Sequence, residues 1–355
     1  MVTKSRIVTT TIGAYPKPDY VPVLDWFDAP DGMCTSIATK LYEKNLIEAG
    51  DRVETLFVRA AEEVINDQVT AGIDMPTDGE IRRENYIHYH CRHLDGFDFE
   101  NLTTRVLRDG AYETDLPTIR GKITVRNTGF LVHDWQAAQQ FTDRPLKVTV
   151  PGPITISDTT ADEHYGDAAA LAGDLADALN AEIRALAEAG CRIIQVDEPL
   201  FARKVDDALD YGIETLERCF AGVPNGTVRA MHMCCGYPNY LDQTDYHKAD
   251  PGRYFQLAEA LDGSSLNHVS IEDAHRHNDL SLLERFQDTT VVFGCIAIAS
   301  SQIETVGDVA SRLRDALGHI DRKRLIAAPD CGLGHLTRDL ARQKLAVMCE
   351  AAAAV

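Results

Sequence analysis

The stretch Val228-Arg229-Ala230-Met231-His232-Met233-Cys234 has the composition of a short buried strand that ends in a His-x-Cys pair. An imidazole and a thiol two residues apart, at the point where a strand gives way to a loop, can reach one metal ion. Two ligands do not make a zinc site, so the hypothesis depends on what the rest of the chain supplies. Seven other segments have a similar strand pattern, and together with this one they decide the fold.

Eight short apolar strands alternate with helical patterns along the chain. Apolar residues have helical spacing in 52–71, and the amphipathic segment 167–189 ends at Gly190, as helices commonly do. Continuous apolar strands separated by helices are typical of a parallel sheet covered by helices. The predicted strands are 7–12, 73–77, 146–150, 192–196, 228–232, 267–271, 290–294 and 325–328. Further helices are predicted over about 206–221, 252–261, 279–287, 303–317 and 337–352.

Eight such units predict an α/β fold, a (β/α)8 or TIM barrel, in a single catalytic domain over residues 1–355. A doubly wound open sheet is the competing fold, but no G-x-G-x-x-G follows any strand. The proline-containing region 17–51 predicts a long irregular loop with short helical pieces. Since 119–125 is typical of half of a hairpin, a small β insertion is expected around 105–130.

Composition and charge limit the class of protein. Of its 355 residues 45% are hydrophobic and 25% charged, as in ordinary globular proteins with an ample core. A net charge of −20 argues against a nucleic-acid partner, which needs clustered lysine and arginine. No segment is long and apolar enough to span a bilayer, and the N-terminus lacks the apolar core of a signal peptide. We therefore expect a cytoplasmic protein with no membrane contact.

Nine cysteines in such a chain are not expected to form a disulfide framework. Cys234, Cys235 and Cys331 stand next to loop-forming residues and are candidates for chemistry. The others are expected to be small buried apolar residues: Cys34, Cys91, Cys191, Cys219, Cys295 and Cys349.

The C-terminal ends of barrel strands share one face, where active sites lie. Polar side chains stand at most of the predicted ends, and four of them form a plausible zinc set. Zinc prefers sulfur and nitrogen ligands, and a carboxylate can hold a fourth position until substrate arrives. The set is His232, Cys234, Glu272 and Cys331. Because these ligands come from three strands, they suit a catalytic site better than a structural one.

Single members of this set have simpler explanations. His232 alone could be a hydrogen-bonded core histidine, and Cys331 a buried thiol in a tight turn. Their joint occurrence at barrel-strand ends favours metal binding.

Neighbouring residues compete for places in the set. Cys235 could replace Cys234, although its side chain should point differently, and its role is left open. Asp273 competes with Glu272. Three nearby histidines could also bind metal but are more typical of a polar helix entrance: His268, His275 and His277.

A zinc ion bound by two thiolates, an imidazole and a carboxylate is electron-rich. It is poorly suited to activating water and well suited to binding a substrate thiol, which coordination keeps as a thiolate near neutral pH. The expected reaction is nucleophilic attack by that sulfur on an electrophilic carbon.

Six motifs, in order along nearly the whole chain, resemble those of the cobalamin-independent methionine synthase family, specifically its C-terminal catalytic barrel and its single-barrel relatives. They are Thr9-Thr10-Thr11-Ile12-Gly13, Asp78-Gly79-Glu80, Gly152-Pro153-Ile154-Thr155-Ile156, Ile194-Gln195-Val196-Asp197-Glu198-Pro199, His232-Met233-Cys234 and Pro329-Asp330-Cys331-Gly332-Leu333. The resemblance implies a zinc-dependent methyltransferase similar to 5-methyltetrahydropteroyltriglutamate–homocysteine methyltransferase. The zinc ligands that it implies are the four residues proposed above.

The resemblance also implies where an amino-acid substrate binds. Glu80 and Asp197 correspond to the two catalytic-site carboxylates that hold the homocysteine amino group. Gly13 and Ala14 would lie near the substrate carboxylate, through their backbone N–H groups. Two acids that face a metal-bound thiol would suit an ammonium group, although salt-bridged or helix-capping acids are also common at strand ends.

The chain departs from folate-using members of the family in the residues that serve the donor. Where they carry a serine after the first-strand glycine, this chain has Ala14. Where they carry a pterin-stacking tryptophan and a proton-donating histidine, it has Ser157-Asp158-Thr159 and Ile296-Ala297-Ile298-Ala299-Ser300. The alkyl donor is therefore left open among a methyl-folate, a methylated corrinoid protein and a small methyl compound.

The predicted function is zinc-dependent alkyl transfer to a thiol, most simply methyl transfer to homocysteine in methionine biosynthesis. A second enzyme hypothesis is epoxide opening, as in the similar single-barrel epoxyalkane:coenzyme M transferases. Glu80 and Asp197 favour an amino-acid thiol over a sulfonate thiol. A hypothesis from another class is a metal-free barrel like porphyrinogen decarboxylase, or a barrel whose zinc is only structural.

Overall fold

The computed structural model describes residues 6–28, 35–107 and 112–355, and ten β-strands lie in these ranges. They are β1 (Val8–Thr9), β2 (Leu94–Leu107), β3 (Tyr112–Val125), β4 (Lys147–Pro151), β5 (Ala161–Asp162), β6 (Ile193–Asp197), β7 (Val228–His232), β8 (His268–Ile271), β9 (Thr290–Ile296) and β10 (Leu325–Pro329). Seven of them pair in parallel, in the order β1-β10-β9-β8-β7-β6-β4.

The segment that follows Gly72 closes this sheet into a barrel. Thr10 forms a parallel bridge with Met75, and Thr77 forms another with Lys147. The Lys147 N–H donates to the Pro76 carbonyl at 2.9 Å. Pro76 has no N–H to donate to a neighbouring strand. The segment 73–77, which the sequence predicts as a strand, therefore makes two isolated bridges. The predicted eight-stranded barrel is confirmed, with its second strand reduced to these bridges.

Helices follow the barrel strands on the outside. They are α1 (Thr35–Ala49), α2 (Val53–Ala71), α3 (Tyr86–Cys91), α4 (Phe130–Gln139), α5 (Pro153–Asp158), α6 (Ala168–Ala189), α7 (Val205–Asp207), α8 (Ile213–Cys219), α9 (Gly252–Asp262), α10 (Val306–Ala316) and α11 (Arg338–Ala354). A π-helical turn, Ala208–Gly212, joins α7 to α8. Short 3-10 turns span Trp26–Asp28, Gly50–Arg52, Leu280–Arg285 and Arg322–Arg324.

Local sequence signals explain where the best-predicted helix begins and ends. The Asp167 side chain caps α6 by accepting from two backbone N–H groups, and Gly190 ends it at φ 107°. The predicted helix 279–287 is a 3-10 segment, Leu280–Arg285. Six residues are too short a run for the 3.6-residue period of an α-helix to be distinguished from the three-residue period of a 3-10 helix.

The irregular N-terminal region was predicted with only short helical pieces, and this is wrong for residues 35–49. The fifteen-residue helix α1 occupies that stretch. Its apolar residues face outward in part, with Ile47 79% exposed, so no amphipathic pattern marks the helix. Cys34 lies outside the described residues, while the other cysteines expected to be buried are buried.

The β insertion is a long antiparallel hairpin of β2 and β3, which begins earlier than the sequence indicates. The first part of β2 contains Gly96 and Asn101, residues that disfavour strands and concealed its start. Strand β5 pairs in parallel with β3. In the described parts of the chain, no helix combines the length and the apolar character that crossing a bilayer requires.

Candidate active site

A cavity of about 130 Å³ opens at the C-terminal ends of the barrel strands. Residues at the ends of β6 and β7 and residues that follow β1 and β10 line it, among them Asp197, His232 and Cys331. Leu116 of the inserted hairpin also lines it, so the insertion forms part of the wall. Because parallel strands all end on this face, residues far apart in sequence meet here.

Strand register places polar residues side by side at the mouth of the barrel. Asp197 pairs with His232 across β6 and β7, and His232 pairs with Ser270 across β7 and β8. Paired residues on parallel strands project to the same side of the sheet. His232 Nδ1 lies 3.0 Å from Ser270 Oγ, a hydrogen bond that orients the imidazole ring and leaves Nε2 for another partner.

His232, Cys234 and Cys331 bring their ligand atoms within 4.8 Å of one another. His232 Nε2 lies 3.3 Å from Cys331 Sγ. A nitrogen and a sulfur on one tetrahedral zinc ion are separated by about 3.5 Å, given the usual bond lengths. The donor set and the spacing both fit zinc, and that these residues bind it stays a prediction.

The two thiols of this cluster interact directly. A hydrogen bond from Cys331 lowers the pKa of Cys234, and the same contact raises the pKa of Cys331. Burial opposes a charged His232 ring most strongly, but the hydrogen bond with Cys234 and the charges of Cys234 and Asp197 together raise the pKa of His232. One sulfur of the pair is therefore favoured as a thiolate, the form that binds metals.

Among the residues that the structure describes, this cluster does not include Glu272, the fourth predicted ligand. Its Oε1 accepts a hydrogen bond from Lys248 Nζ at 2.7 Å, and both side chains are largely buried. Burial raises the pKa of Glu272 to about 7, with Asp330 adding to the rise and Lys248 opposing it. The structure thus brings three of the four predicted ligands together and pairs the fourth with a lysine.

The residues that competed for the metal have other partners. Arg312 binds Asp273 through Nε at 2.7 Å and through Nη2 at 2.8 Å. Cys235 packs beside the Tyr254 hydroxyl, and burial raises its pKa to about 12. His275 Nε2 accepts bonds from two backbone N–H groups that follow β9. The other two candidate histidines also lie outside the cluster: His268 and His277.

Glu80 is buried beside the cavity with its backbone in the left-handed region, at φ 58°. Its Oε1 accepts from Thr149 Oγ1 at 2.6 Å and lies 3.5 Å from Arg83 Nη1. Burial raises the pKa of Glu80, and Arg83 and Thr149 oppose the rise. Such backbone strain in a residue other than glycine is concentrated at functional sites.

Asp197 stands at the end of a buried hydrogen-bond chain inside the barrel. Lys147 Nζ donates to Gln195 Oε1 at 2.6 Å, and Gln195 Nε2 donates to Asp197 Oδ1 at 2.7 Å. Burial raises the pKa of Asp197 to about 7; the charge of His232 opposes the rise and that of Glu80 adds to it. A cationic ligand in the cavity would stabilise both carboxylates as anions.

Gly13 and Ala14 line the cavity directly after β1. A Cβ on Gly13 would lie 2.6 Å from Glu80 Oε1, so glycine is required for that carboxylate to approach the backbone. The Ala14 carbonyl accepts from Leu333 N–H at 2.8 Å, which joins this turn to the loop that carries Cys331.

Aromatic residues that sequence reasoning missed cover another side of the cavity: Trp26, Phe27, Tyr86 and Tyr237. The ring centroids of Trp26 and Phe27 are 4.8 Å apart, and those of Trp26 and Tyr86 are 5.9 Å apart. Phe27 and Tyr237, from loops more than two hundred residues apart, lie at 5.5 Å. Neither strand nor helix periodicity marks these residues, because Trp26 and Phe27 lie in a short 3-10 turn, Tyr237 lies in a loop and Tyr86 begins the six-residue helix α3.

Comparison with known proteins places the chain among methionine synthases. A family described as "Cobalamin-independent synthase, Catalytic domain" matches residues 7–354. The chain is 31% identical over 351 residues to a methionine synthase of Saccharolobus solfataricus, covering 96% of this chain and 92% of that protein. It is 32% identical over 338 residues to one of Sulfolobus acidocaldarius, covering 95% and 88%.

Solved structures give the same result. A B12-independent methionine synthase from Shewanella sp. W3-18-1, in complex with selenomethionine, has a TM-score of 0.83 at 30% identity, covering 98% of this chain and 97% of that one. A methyltransferase from Methanosarcina mazei shares the fold, with a TM-score of 0.57 at 11% identity and coverage of 98% and 94%.

Proposed function

The chain belongs to the cobalamin-independent methionine synthase family, and on that premise we propose that it transfers a methyl group to the thiol of homocysteine and so forms methionine. The observation that carries the proposal is the cluster of His232, Cys234 and Cys331 on a cavity that Glu80 and Asp197 also line. This cavity therefore offers ligands for a metal that binds sulfur together with two carboxylates for an ammonium group.

We assign zinc to the three-residue cluster. When bound there, zinc would supply the Lewis acidity that keeps a substrate thiol deprotonated near neutral pH. Ser270 fixes the His232 ring, and the contact between Cys234 and Cys331 already favours one thiolate. Glu272 is the fourth candidate ligand.

Glu80 and Asp197 would bind the amino group of homocysteine. Both carboxylates are buried, and burial disfavours their charged forms until a cation pairs with them. Thr149 and Gln195 hold them in place. Backbone N–H groups of Gly13 and Ala14 would receive the substrate carboxylate. The selenomethionine in the Shewanella structure is a methionine analogue, and methionine is the product of this reaction.

The transfer forms a sulfur–carbon bond and breaks the bond between the methyl group and its donor. The thiol proton is released to solvent, and the electron pair of the broken bond stays on the donor. The donor is the open part of the proposal. Asp158 and Thr159 line the cavity where folate-using relatives carry a stacking tryptophan, and Asp158 pairs with Lys204 at 2.6 Å.

A thiol-by-donor activity matrix on zinc-loaded protein tests the reaction. Homocysteine and coenzyme M are each combined with methyl-folate, methylcobalamin and an epoxide, and products are identified by mass. We expect methionine from homocysteine with one of the methyl donors. Epoxide opening with coenzyme M and no methionine from any donor would contradict the proposal.

Substitution of adjacent cysteines tests the metal assignment. Cys234→Ala should lower bound zinc from about one ion per chain to a small fraction, because it removes a thiolate ligand. Cys235→Ala is the matched control and should keep the metal, since this thiol stays protonated beside Tyr254. Zinc is measured by atomic emission after dialysis. A wild-type protein without zinc, or a Cys234→Ala protein that keeps it, would contradict the assignment.

A further inference from the structure

Lys147, the first residue of β4, is a buried lysine that the transfer reaction does not use. It is 3% exposed, and lysine is almost never so deeply buried without a partner. Its partner is Gln195, whose Oε1 accepts from Lys147 Nζ at 2.6 Å. Neither of these two residues is among the described residues that line the cavity. Any effect of Lys147 on a bound ligand must therefore pass through other side chains.

Strand register places this lysine on the inner face of the barrel. Thr149 pairs with Gln195 across β4 and β6, and Asp197 lies two residues beyond Gln195. Residues two apart on a strand project to the same side of the sheet. Because Asp197 lines the cavity, the side chains of Lys147, Thr149 and Gln195 project to the inside with it.

The partners of the Gln195 amide fix its orientation. A lysine ammonium only donates, so the amide oxygen faces Lys147. The Nε2 group donates to the Ile12 carbonyl at 2.9 Å and to Asp197 Oδ1 at 2.7 Å, and both of these oxygens accept. Each hydrogen of the amide thus has a partner, and one of them holds the Asp197 carboxylate.

The second carboxylate of the cavity is held in the same way. Arg83 Nη1 donates to Thr149 Oγ1 at 2.8 Å, and this hydroxyl donates to Glu80 Oε1 at 2.6 Å. Each acid is therefore backed by a buried cation that acts through a neutral side chain. Burial lowers the pKa of Lys147 to about 7, and the charges of Asp197 and Glu80 oppose that fall.

We propose that Lys147 is a positioning residue which, through Gln195, holds the Asp197 carboxylate where it receives the ammonium group of the substrate. The role rests on the proposed function, in which Asp197 binds that group. Without Lys147 the buried oxygen of the Gln195 amide would lose its donor, which is costly enough to displace the side chain. Asp197 would then lose the N–H group that fixes its carboxylate.

Ligand affinity tests this role without reference to turnover. L-Methionine is compared with 4-(methylthio)butanoic acid, which lacks the amino group, by calorimetric titration of the zinc-loaded protein. Lys147→Met keeps the length of the side chain and removes the donor. We expect methionine to bind at least about tenfold more weakly to this variant than to wild type. The analogue without the amino group should bind equally to both proteins.

Gln195→Leu, made with and without Lys147→Met, shows whether the lysine acts through the amide. Gln195→Leu alone should weaken methionine selectively, and the second substitution should add nothing to the loss. Additive losses would mean that Lys147 acts directly as a charge, and would overturn the role. If Lys147→Met does not fold, Gln195→Leu alone decides, and an unchanged preference for methionine would contradict the role.

Lys344→Met is the matched control, because Lys344 is also buried and pairs with Glu304 on another side of the barrel. It should leave the affinities for both ligands unchanged. If Lys147→Met weakens both ligands equally or neither of them, the lysine serves only the fold and the positioning role is wrong. If wild type binds the analogue as tightly as methionine, the ammonium site of the proposed function fails instead.

Discussion

At the scale of single residues, the adjacent acids Asp197 and Glu198 have different surroundings. Asp197 lines the cavity, while Glu198 accepts hydrogen bonds from Ile154 N–H at 2.9 Å and from Thr155 N–H and Oγ1 at 3.0 and 2.7 Å. Burial raises the pKa of Glu198 to about 8, and these donors oppose the rise. Glu198 therefore fastens the start of α5 to the end of β6, a role that the sequence motif does not distinguish from substrate binding.

Gly152 is required by this contact. A Cβ at position 152 would lie 2.2 Å from the carboxyl group of Glu198, so Gly152→Ala must displace that side chain from its three donors. We expect the free energy of unfolding to fall by about 2 kcal/mol or more, as for other overpacked cores. Urea denaturation measures it. Gly307→Ala, whose new Cβ meets nothing closer than 3.7 Å, is the control, and equal stability of the two variants would contradict the prediction.

At the scale of elements, a buried histidine joins three parts of the chain beside the cavity. His88 lies on α3; its Nδ1 is 2.7 Å from Thr39 Oγ1 of α1, and its Nε2 is 3.3 Å from the Thr159 carbonyl after α5. Both ring nitrogens are satisfied when the ring is neutral. Burial lowers the pKa of His88 to about 4, and Arg92 opposes the charged form as well. The packing of these helices therefore requires a neutral ring.

This histidine should make the fold sensitive to acid. The folded-state pKa lies below the unfolded value of about 6.5, so the unfolded chain takes up the proton first as pH falls. Between about pH 6.5 and 4, His88 should remove about 1.4 kcal/mol of unfolding free energy per pH unit. His88→Gln should reduce the slope by that amount, as measured by urea denaturation at several pH values. An unchanged slope would show that His88 is already charged in the folded protein.

At the scale of the whole molecule, the candidate zinc ligands connect strands that do not touch. His232 ends β7 and Cys331 follows β10, and the sheet order places β8 and β9 between these strands. Residues 7–354 match one family over their whole length, and the arrangement of 1–355 as a single domain stays a prediction. An ion held by these ligands would tie opposite parts of the barrel mouth.

Metal removal should therefore destabilise the protein. At a free zinc concentration of about 100 times the dissociation constant, binding to the folded state adds about 2.7 kcal/mol. For a chain of this length that should raise the melting temperature by about 3–4 °C, given the usual entropy of unfolding per residue. Calorimetry with zinc and with a chelator measures the shift.

Two cysteine variants control for unspecific effects of zinc. Cys331→Ser should lose the shift because it removes a ligand. Cys349→Ser, a substitution on α11 away from the cluster, should keep it. A shift that survives in Cys331→Ser would mean that zinc stabilises the protein at another place.

The barrel and the positions of its polar residues could be read from the chain because they depend on local patterns. A strand such as 325–328 is apolar along its length, and all strands of a (β/α)8 barrel end on one face. The sequence therefore predicts that His232 and Cys331 meet. The sequence also predicted the end of α6 at Gly190, because a C-terminal glycine acts within the last turn of the helix.

Tertiary structure alone decided how the side chains at that face pair with one another. Glu272 pairs with Lys248, which comes from a loop with no periodic pattern, and its place among the zinc ligands stays a prediction. Phe27 meets Tyr237, and Glu80 takes a strained backbone because the surrounding packing holds it. Sequence by itself determined which residues reach the mouth of the barrel, because strand and helix periods are local. Which of them touch was decided by the loops, whose course depends on contacts between distant parts of the chain.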